Sequence, residues 1–313
     1  MSPVREVQVR EVEYRREGSE SWLAKVYRPA GTGPFPALLD VHGGAWSGGT
    51  RENNASIHGA LAARGLVIVA IDFRLAPEHP YPASIQDTNY ATRWVKRNAG
   101  DLGLDPRRVG GLGSSSGGHM VLLSALRPRD PRYAALPLPE EEGDVYSGAV
   151  ERDAALPLLD QKGDLEKKGA LESGAVDASL SYVILLWAVI DPYARYRFAQ
   201  RTGRIDLVER SEGYFRSVAS KQEGNPQRIV AAWPRSGALP PPPVLLIQGT
   251  DDANLPPGMA ETFAETYRAA GGAIDVHLFP GQPHGFGVQP GHDAERAQAL
   301  MQEFILQRNL DAK

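Results

Sequence analysis

Five short runs that are apolar on both faces constrain this chain most: Ala37–Val41, Leu66–Ile71, Arg108–Leu112, Tyr182–Val189 and Val244–Gln248. A strand with one wet face alternates apolar and polar residues, so a run without alternation has to be covered on both sides. Helix-length segments separate most of these runs, which predicts a mostly parallel sheet with helices on both faces. A further run, Ile274–Phe279, precedes an amphipathic helix at about Asp293–Gln307, where Ala297, Leu300, Met301, Phe304 and Ile305 share one face. Ahead of the first run, Val7, Val9 and Val12 alternate with polar residues, and Trp22–Tyr27 follows the polar turn Glu17-Gly18-Ser19-Glu20. That pattern predicts an antiparallel hairpin. The chain has no repeat of solenoid period and no clear linker, so one α/β domain over residues 1–313 is expected.

Composition narrows the chemistry. Acidic side chains outnumber basic ones 38 to 34, a formal charge of −4, which gives no reason to expect a nucleic acid or anionic membrane partner. There is no cysteine, which excludes disulfides, thiolate metal sites, iron–sulfur clusters and a cysteine nucleophile. The opening MSPVREVQVREVEYRRE lacks the apolar centre of a signal peptide, and no stretch approaches the roughly 20 apolar residues of a membrane span. A soluble, cytoplasmic protein is the expectation.

Two segments break the rhythm of strands and helices. Residues 128–178 show no clear element and are acidic, with EEEGD at 140–144 and DLEKK at 164–168. Such low apolar density does not repay the entropy of ordering a buried element, so a surface excursion is expected. Residues 191–236 mix aromatic and charged side chains and read as short helices outside the sheet, a candidate cap.

Chemistry concentrates at three places. Gly113-Ser114-Ser115-Ser116-Gly117-Gly118 follows a strand and opens a helical stretch, the setting of a nucleophile elbow that thrusts one serine above the sheet. Only Ser115 has glycines two before and two after it. A dinucleotide fingerprint beginning at Gly111 fails, because its third glycine position holds Ser116. At the end of another strand stands His42-Gly43-Gly44-Ala45-Trp46. A Gly-Gly pair is often a plain turn, but acyl transfer needs backbone N–H groups aimed at an oxyanion, and glycines let the main chain come close. Gly43, Gly44 and the N–H of Ser116 are the expected donors, with His42 a structural hydrogen-bonding group. The third place is the pair of loops after the last two core strands, Gly249-Thr250-Asp251-Asp252 and Pro283-His284-Gly285-Phe286. Both lie past strand C-termini, where open α/β sheets collect their sites. Either aspartate can be the acid on this reading, and His284 is favoured as base over His58, His79, His119, His277 and His292.

HGGAW at 42–46, DFRLAPEHPYPASIQD at 72–87, GSSSGG at 113–118, GTDD at 249–252 and PHGF at 283–286, in this order, make the chain recognisable. It resembles the α/β-hydrolase superfamily, and within it the hormone-sensitive-lipase-like esterases and related bacterial HGGxW hydrolases, over about residues 22–125 and 180–308. The resemblance implies Ser115 as nucleophile, Asp252 rather than Asp251 as orienting acid, and His284 as base. It implies no metal or organic cofactor. The elbow departs from the family pattern, with Ser114-Ser115-Ser116 in place of Asp-Ser-Ala. Only 41 residues precede the HGG motif, too few for the helical N-terminal cap of those esterases, so a lid is expected from 191–236 or 128–178.

The expected activity is hydrolysis of carboxylic esters of small to medium size through an acyl-enzyme. An amidase, arylformamidase or peptidase with the same residues is the in-class rival, and a non-catalytic ligand-binding protein on the same scaffold a remote one. The partner is then a small ester or amide, with a homo-oligomer left open. Trp46, Ser114, Tyr193, Phe198, Phe215 and Phe286 are the candidates to line the substrate pocket.

Overall fold

The computed structural model describes residues 4–138, 176–234 and 239–311. Its frame is eight strands, β1 (Val7–Glu17), β2 (Glu20–Pro29), β3 (Phe35–Val41), β4 (Val67–Ile71), β5 (Leu104–Ser114), β6 (Val183–Leu186), β7 (Val244–Gly249) and β8 (Ile274–Phe279). They lie in one sheet in the order β1-β2-β4-β3-β5-β6-β7-β8. β1 and β2 form the expected hairpin, and β2 joins β4 antiparallel. Every pairing beyond β4 is parallel.

The two-sided apolar runs are explained by two cores. Leu39, Val41, Val69, Ile71, Val183 and Leu246 face one side of the sheet. Their neighbours Leu38, Ile68, Leu112, Ile184, Leu245 and Ile247 face the other. The first core is closed by α2 (Ala83–Arg97), α4 (Ser116–Leu126) and α9 (Met259–Ala269), and the second by α1 (Ala55–Ala62) and α10 (His292–Asp311). Each fully buried Leu, Ile or Val contributes roughly 1.5–3 kcal/mol, so alternation has no place in the central strands. A short helix, α3 (Ala99–Leu102), precedes β5.

Two expectations change in detail. The run Tyr182–Val189 is strand only to Leu186, because Trp187 turns at φ 39°. The chain then closes on the elbow: Ser115 N–H donates to Leu186 O at 2.9 Å and Val189 N–H donates to Ser115 O at 3.0 Å. The acidic excursion is also narrower than 128–178 at its start. Tyr133 is buried with its hydroxyl 2.5 Å from that of Tyr81, and Asn89 Nδ2 donates to Pro128 O at 3.1 Å. The EEEGD and DLEKK stretches fall within 139–175, outside the described residues.

Residues 191–234 form four short helices, α5 (Pro192–Arg201), α6 (Ile205–Phe215), α7 (Val218–Glu223) and α8 (Pro226–Ala231). Their starts follow ordinary capping chemistry. Asp191 accepts from Ala194 N–H with Pro192 at the first helical position, and Asn225 accepts from Arg228 N–H ahead of Pro226. No described helix is long and apolar enough to cross a membrane.

Candidate active site

The elbow forms because Ser115 is forced into a backbone conformation that few residues adopt, φ 53° and ψ −119°, between β5 and α4. Such a conformation costs of order 1–3 kcal/mol and persists only where its surroundings impose it. Here the imposition is close packing: a Cβ at Gly117 would lie 1.9 Å from Val41 O. The helix can therefore start directly against the end of β3, and the hydroxyl of Ser115 is left partly exposed above the sheet.

His284 and Asp252 arrive from the loops after β8 and β7. His284 Nε2 lies 2.9 Å from Ser115 Oγ, and His284 Nδ1 lies 2.7 Å from Asp252 Oδ2. In the neutral imidazole the Nδ1 proton donates to the carboxylate, which leaves Nε2 to accept from the serine hydroxyl. Gln248 Nε2 donates to Asp252 Oδ2 at 2.8 Å and Asn254 N–H donates to its Oδ1 at 2.8 Å. Burial opposes ionisation of Asp252, but the hydrogen bonds from His284, Gln248 and Asn254 outweigh it and hold the carboxyl below its ordinary range. Asp251 is exposed, and its carboxylate meets its neighbour Thr250 instead. A hydroxyl, an imidazole and a fixed carboxylate in one line can activate the hydroxyl as a nucleophile.

The loop after β3 lies over the elbow, and the two outer serines tie it down. Gly43 N–H donates to Ser114 Oγ at 3.1 Å, and Trp46 N–H donates to Ser116 Oγ at 3.2 Å. Between these ties the N–H groups of Gly44 and Ala45 have no hydrogen-bond partner among the described residues. Gly44 has φ 127°, and a Cβ there would lie 1.9 Å from Gly48 O, so this turn requires glycine. The expectation for Gly43 is thus corrected: its N–H is spent on Ser114. The N–H groups without a partner here, among the described residues, are those of Gly44, Ala45 and Ser116, the last at the first turn of α4.

Ser114 is correspondingly no pocket residue. It is buried, and it also accepts from Asn54 Nδ2 at 3.2 Å. The same Asn54 amide donates to Asp40 Oδ1 at 3.1 Å, and Asp40 Oδ2 lies 2.9 Å from His58 Nε2. All four side chains are buried, which makes a polar brace from α1 through the end of β3 to the loop. The sequence holds no local signal for this brace, because Asp40, Asn54, His58 and Ser114 are brought together only by sheet order.

Other candidates sort by burial. Trp46 is 0% exposed, stacked on Tyr214 at 5.0 Å with Phe215 edge-on at 5.3 Å. Phe215 is 1% exposed and Phe286 packs under Trp187 and Phe279. These three are packing residues and do not line an open pocket, which corrects the expectation for them. Tyr193 and Phe198, on α5, remain partly exposed. His42 is the structural group expected: Nδ1 lies 2.7 Å from Gly43 O, the ring stacks on Phe73, and burial lowers its pKa. His119 is fully buried, with Nε2 2.7 Å from Gly224 O and Nδ1 accepting from Trp46 Nε1 at 3.2 Å, and burial pushes it down to about 4. Trp187, which the sequence reading missed, sets its ring 6.5 Å from that of His284. Among the described residues no group of three or more His, Asp or Glu side chains is arranged to hold a metal ion.

A mostly parallel sheet with this strand order, a strand–serine–helix elbow and loops collected at the C-terminal strand ends make the α/β-hydrolase fold. The chain belongs to the BD-FAE family, whose model matches residues 25–267. It is 30% identical over 262 residues to esterase LipC of Mycobacterium tuberculosis, covering 83% of this chain and 55% of that protein. Carboxylesterase NlhH of the same organism is 38% identical over 135 residues, 41% of this chain and 42% of that one. The chain thus spans about half the length of the curated relatives it matches. Among solved structures, a propionate-bound thermophilic esterase of Thermogutta terrifontis matches with a TM-score of 0.66 at 23% identity, over 97% of this chain and 94% of that one. Esterase B of Lactobacillus rhamnosis matches with a TM-score of 0.71 at 19% identity, over 98% and 86%.

Proposed function

We propose that the protein is a serine carboxylester hydrolase that works through an acyl-enzyme. The observation that carries this reading is the unbroken line from Ser115 Oγ through His284 to Asp252, 2.9 and 2.7 Å. Ser115 Oγ attacks the ester carbonyl carbon while His284 Nε2 takes its proton. The carbonyl oxygen becomes an oxyanion that meets the N–H groups of Gly44, Ala45 and Ser116. The intermediate collapses as His284 passes the proton to the departing alkoxide, which leaves as the alcohol. Water then attacks the acyl-enzyme, again giving its proton to His284, and the second intermediate releases the carboxylic acid and restores the Ser115 hydroxyl. Asp252 keeps the imidazole in the required tautomer and stabilises the imidazolium. The helices α5–α8 serve as the cap, with Tyr193 and Phe198 facing the substrate.

The names of LipC and NlhH as an esterase and a carboxylesterase support the same class. The Thermogutta esterase has been captured phosphorylated by paraoxon, which suggests a direct probe. Paraoxon should inactivate the protein with one diethylphosphoryl group added per chain, and peptide mapping should locate it on Ser115. Simple acyl esters should be turned over before treatment and not after. Labelling on another residue, or ester turnover that survives complete Ser115 modification, would sink the assignment.

A further inference from the structure

Arg195, on α5, is the buried charge that the mechanism does not use. It is 2% exposed, and its Nε and Nη1 are buried with no hydrogen-bond partner among the described residues. The contrast within the chain is sharp. Arg15, also buried, pairs with Asp87 at 3.0 Å, and Arg93 bonds Asn89 Oδ1 at 3.0 Å. Among the described residues no carboxylate lies within ion-pair distance of the Arg195 guanidinium; it lies over the indole of Trp46, 5.2 Å from the ring centroid. A cation–π contact offsets only part of the cost of removing a guanidinium from water.

Its location gives that cost a use. Trp46 is anchored by its own N–H to Ser116, next to the nucleophile, so Arg195 sits on the loop that carries Gly44 and Ala45. A second cap guanidinium reaches the same loop, Arg210 Nη1 donating to Ser47 Oγ at 2.8 Å. Arg204, in the turn between α5 and α6, reaches the Asp252 loop, its Nη1 donating to Asn254 Oδ1 at 2.8 Å. Carboxylates nearby are committed elsewhere: Asp206 to Arg204, Glu212 to Tyr196 and Asp252 to His284. Burial and repulsion from Arg204, partly offset by attraction to Asp206 and Asp252, bring Arg195 down to about 10, so it stays a cation at neutral pH.

We infer that Arg195, assisted by Arg210, receives an anionic group of the substrate, so that the preferred esters carry a carboxylate a few bonds from the scissile carbonyl. The inference deepens the esterase reading and rests on it. Buried N–H groups with no hydrogen-bond partner suit a carboxylate oxygen, and the hydrogen bonds that no described carboxylate supplies arrive with the substrate.

The test compares matched ester pairs on the full chain. Monomethyl adipate against methyl hexanoate places the charge on the acyl side, and 3-acetoxybenzoate against phenyl acetate places it on the alcohol side. For one pair, the ratio of kcat/KM, anionic over neutral, should fall at least tenfold in Arg195→Met, chiefly through KM, and recover in part in Arg195→Lys. Ratios within twofold of the parent for both pairs would overturn the inference while neutral-ester turnover keeps the esterase reading alive. A parent protein that turns over none of the four esters removes both. If Arg195→Met does not fold, inhibition of the parent decides: adipate should inhibit at least tenfold more tightly than hexanoate, and equal inhibition rejects the idea.

Discussion

Ser114, Ser115 and Ser116 are identical side chains in three different settings. The middle hydroxyl meets His284, and the outer two hold Gly43 and Trp46 on either side of the proposed oxyanion donors. Ser115→Ala should lower ester turnover on the order of 10⁴-fold or more without changing the melting temperature, and adding His284→Ala should make it little worse. Ser114→Ala leaves Gly43 N–H without its partner in a buried place, a loss of about 1–3 kcal/mol. Its loop should relax, and kcat should fall about tenfold with KM little changed, a drop equal to roughly 1.4 kcal/mol in the barrier. Asn54→Ala should show the same split, because Asn54 fixes Ser114 without touching substrate; a change confined to thermal stability would show that the brace is structural only. Asp252→Asn should cost far more than Asp251→Asn, since Asp251 takes no part in the line to Ser115.

Among the elements, α5 and α6 carry the aromatic residues that decide whether the cap is a wall or a plug. Tyr193 and Phe198 are partly exposed on α5, whereas Phe215 at the end of α6 is enclosed by Trp46, Tyr81, His119 and Tyr214. Tyr193→Ser and Phe198→Ser should shift the preference among acyl chain lengths with little change in melting temperature. Phe215→Ala should do the reverse, destabilising by about 3–5 kcal/mol as large-to-small core changes do. A chain-length series run beside thermal melts separates the two. A melting loss at Tyr193 or Phe198 equal to that at Phe215, with no shift in preference, would remove α5 from the pocket.

At the scale of the whole molecule, buried histidines tie stability to pH. His119 is held neutral down to about 4 by burial, and burial lowers His42 as well. The unfolded chain takes up those protons near the model histidine value of about 6.5, so between there and about 4 the unfolded state binds more protons. Stability should therefore fall as pH drops through that window, by on the order of 3 kcal/mol for His119 alone. Below the lower value both states are protonated and this slope ends. His119→Gln should flatten the dependence of unfolding free energy on pH between 6.5 and 4; an unchanged slope would show that His119 is not its source. Replacing residues 140–174, outside the described residues, with a short Gly/Ser bridge should leave a soluble protein whose small-ester turnover stays within about tenfold of the parent. Insolubility, or a 10³-fold loss, would mark that segment as part of the working fold.

The sequence by itself determined the parallel sheet, the elbow serine and the two loops after β7 and β8. Each rests on local chemistry: an apolar run without alternation has to be covered twice, and a serine between spaced glycines fits a tight strand-to-helix turn. His284 stood out by position past a strand end, while the choice of Asp252 over Asp251 came from the family resemblance. What tertiary structure decided are the meetings of residues far apart in the chain. Gly43 lies 71 residues from Ser114, and their hydrogen bond, which puts Ala45 in place of Gly43 among the proposed oxyanion donors, has no signature in either motif. Trp46 and Phe215 read as pocket aromatics because composition does not tell an enclosed ring from an exposed one. Arg195 read as one more charge on a mixed helix, because whether a guanidinium finds a carboxylate depends on which side chains the fold brings within reach.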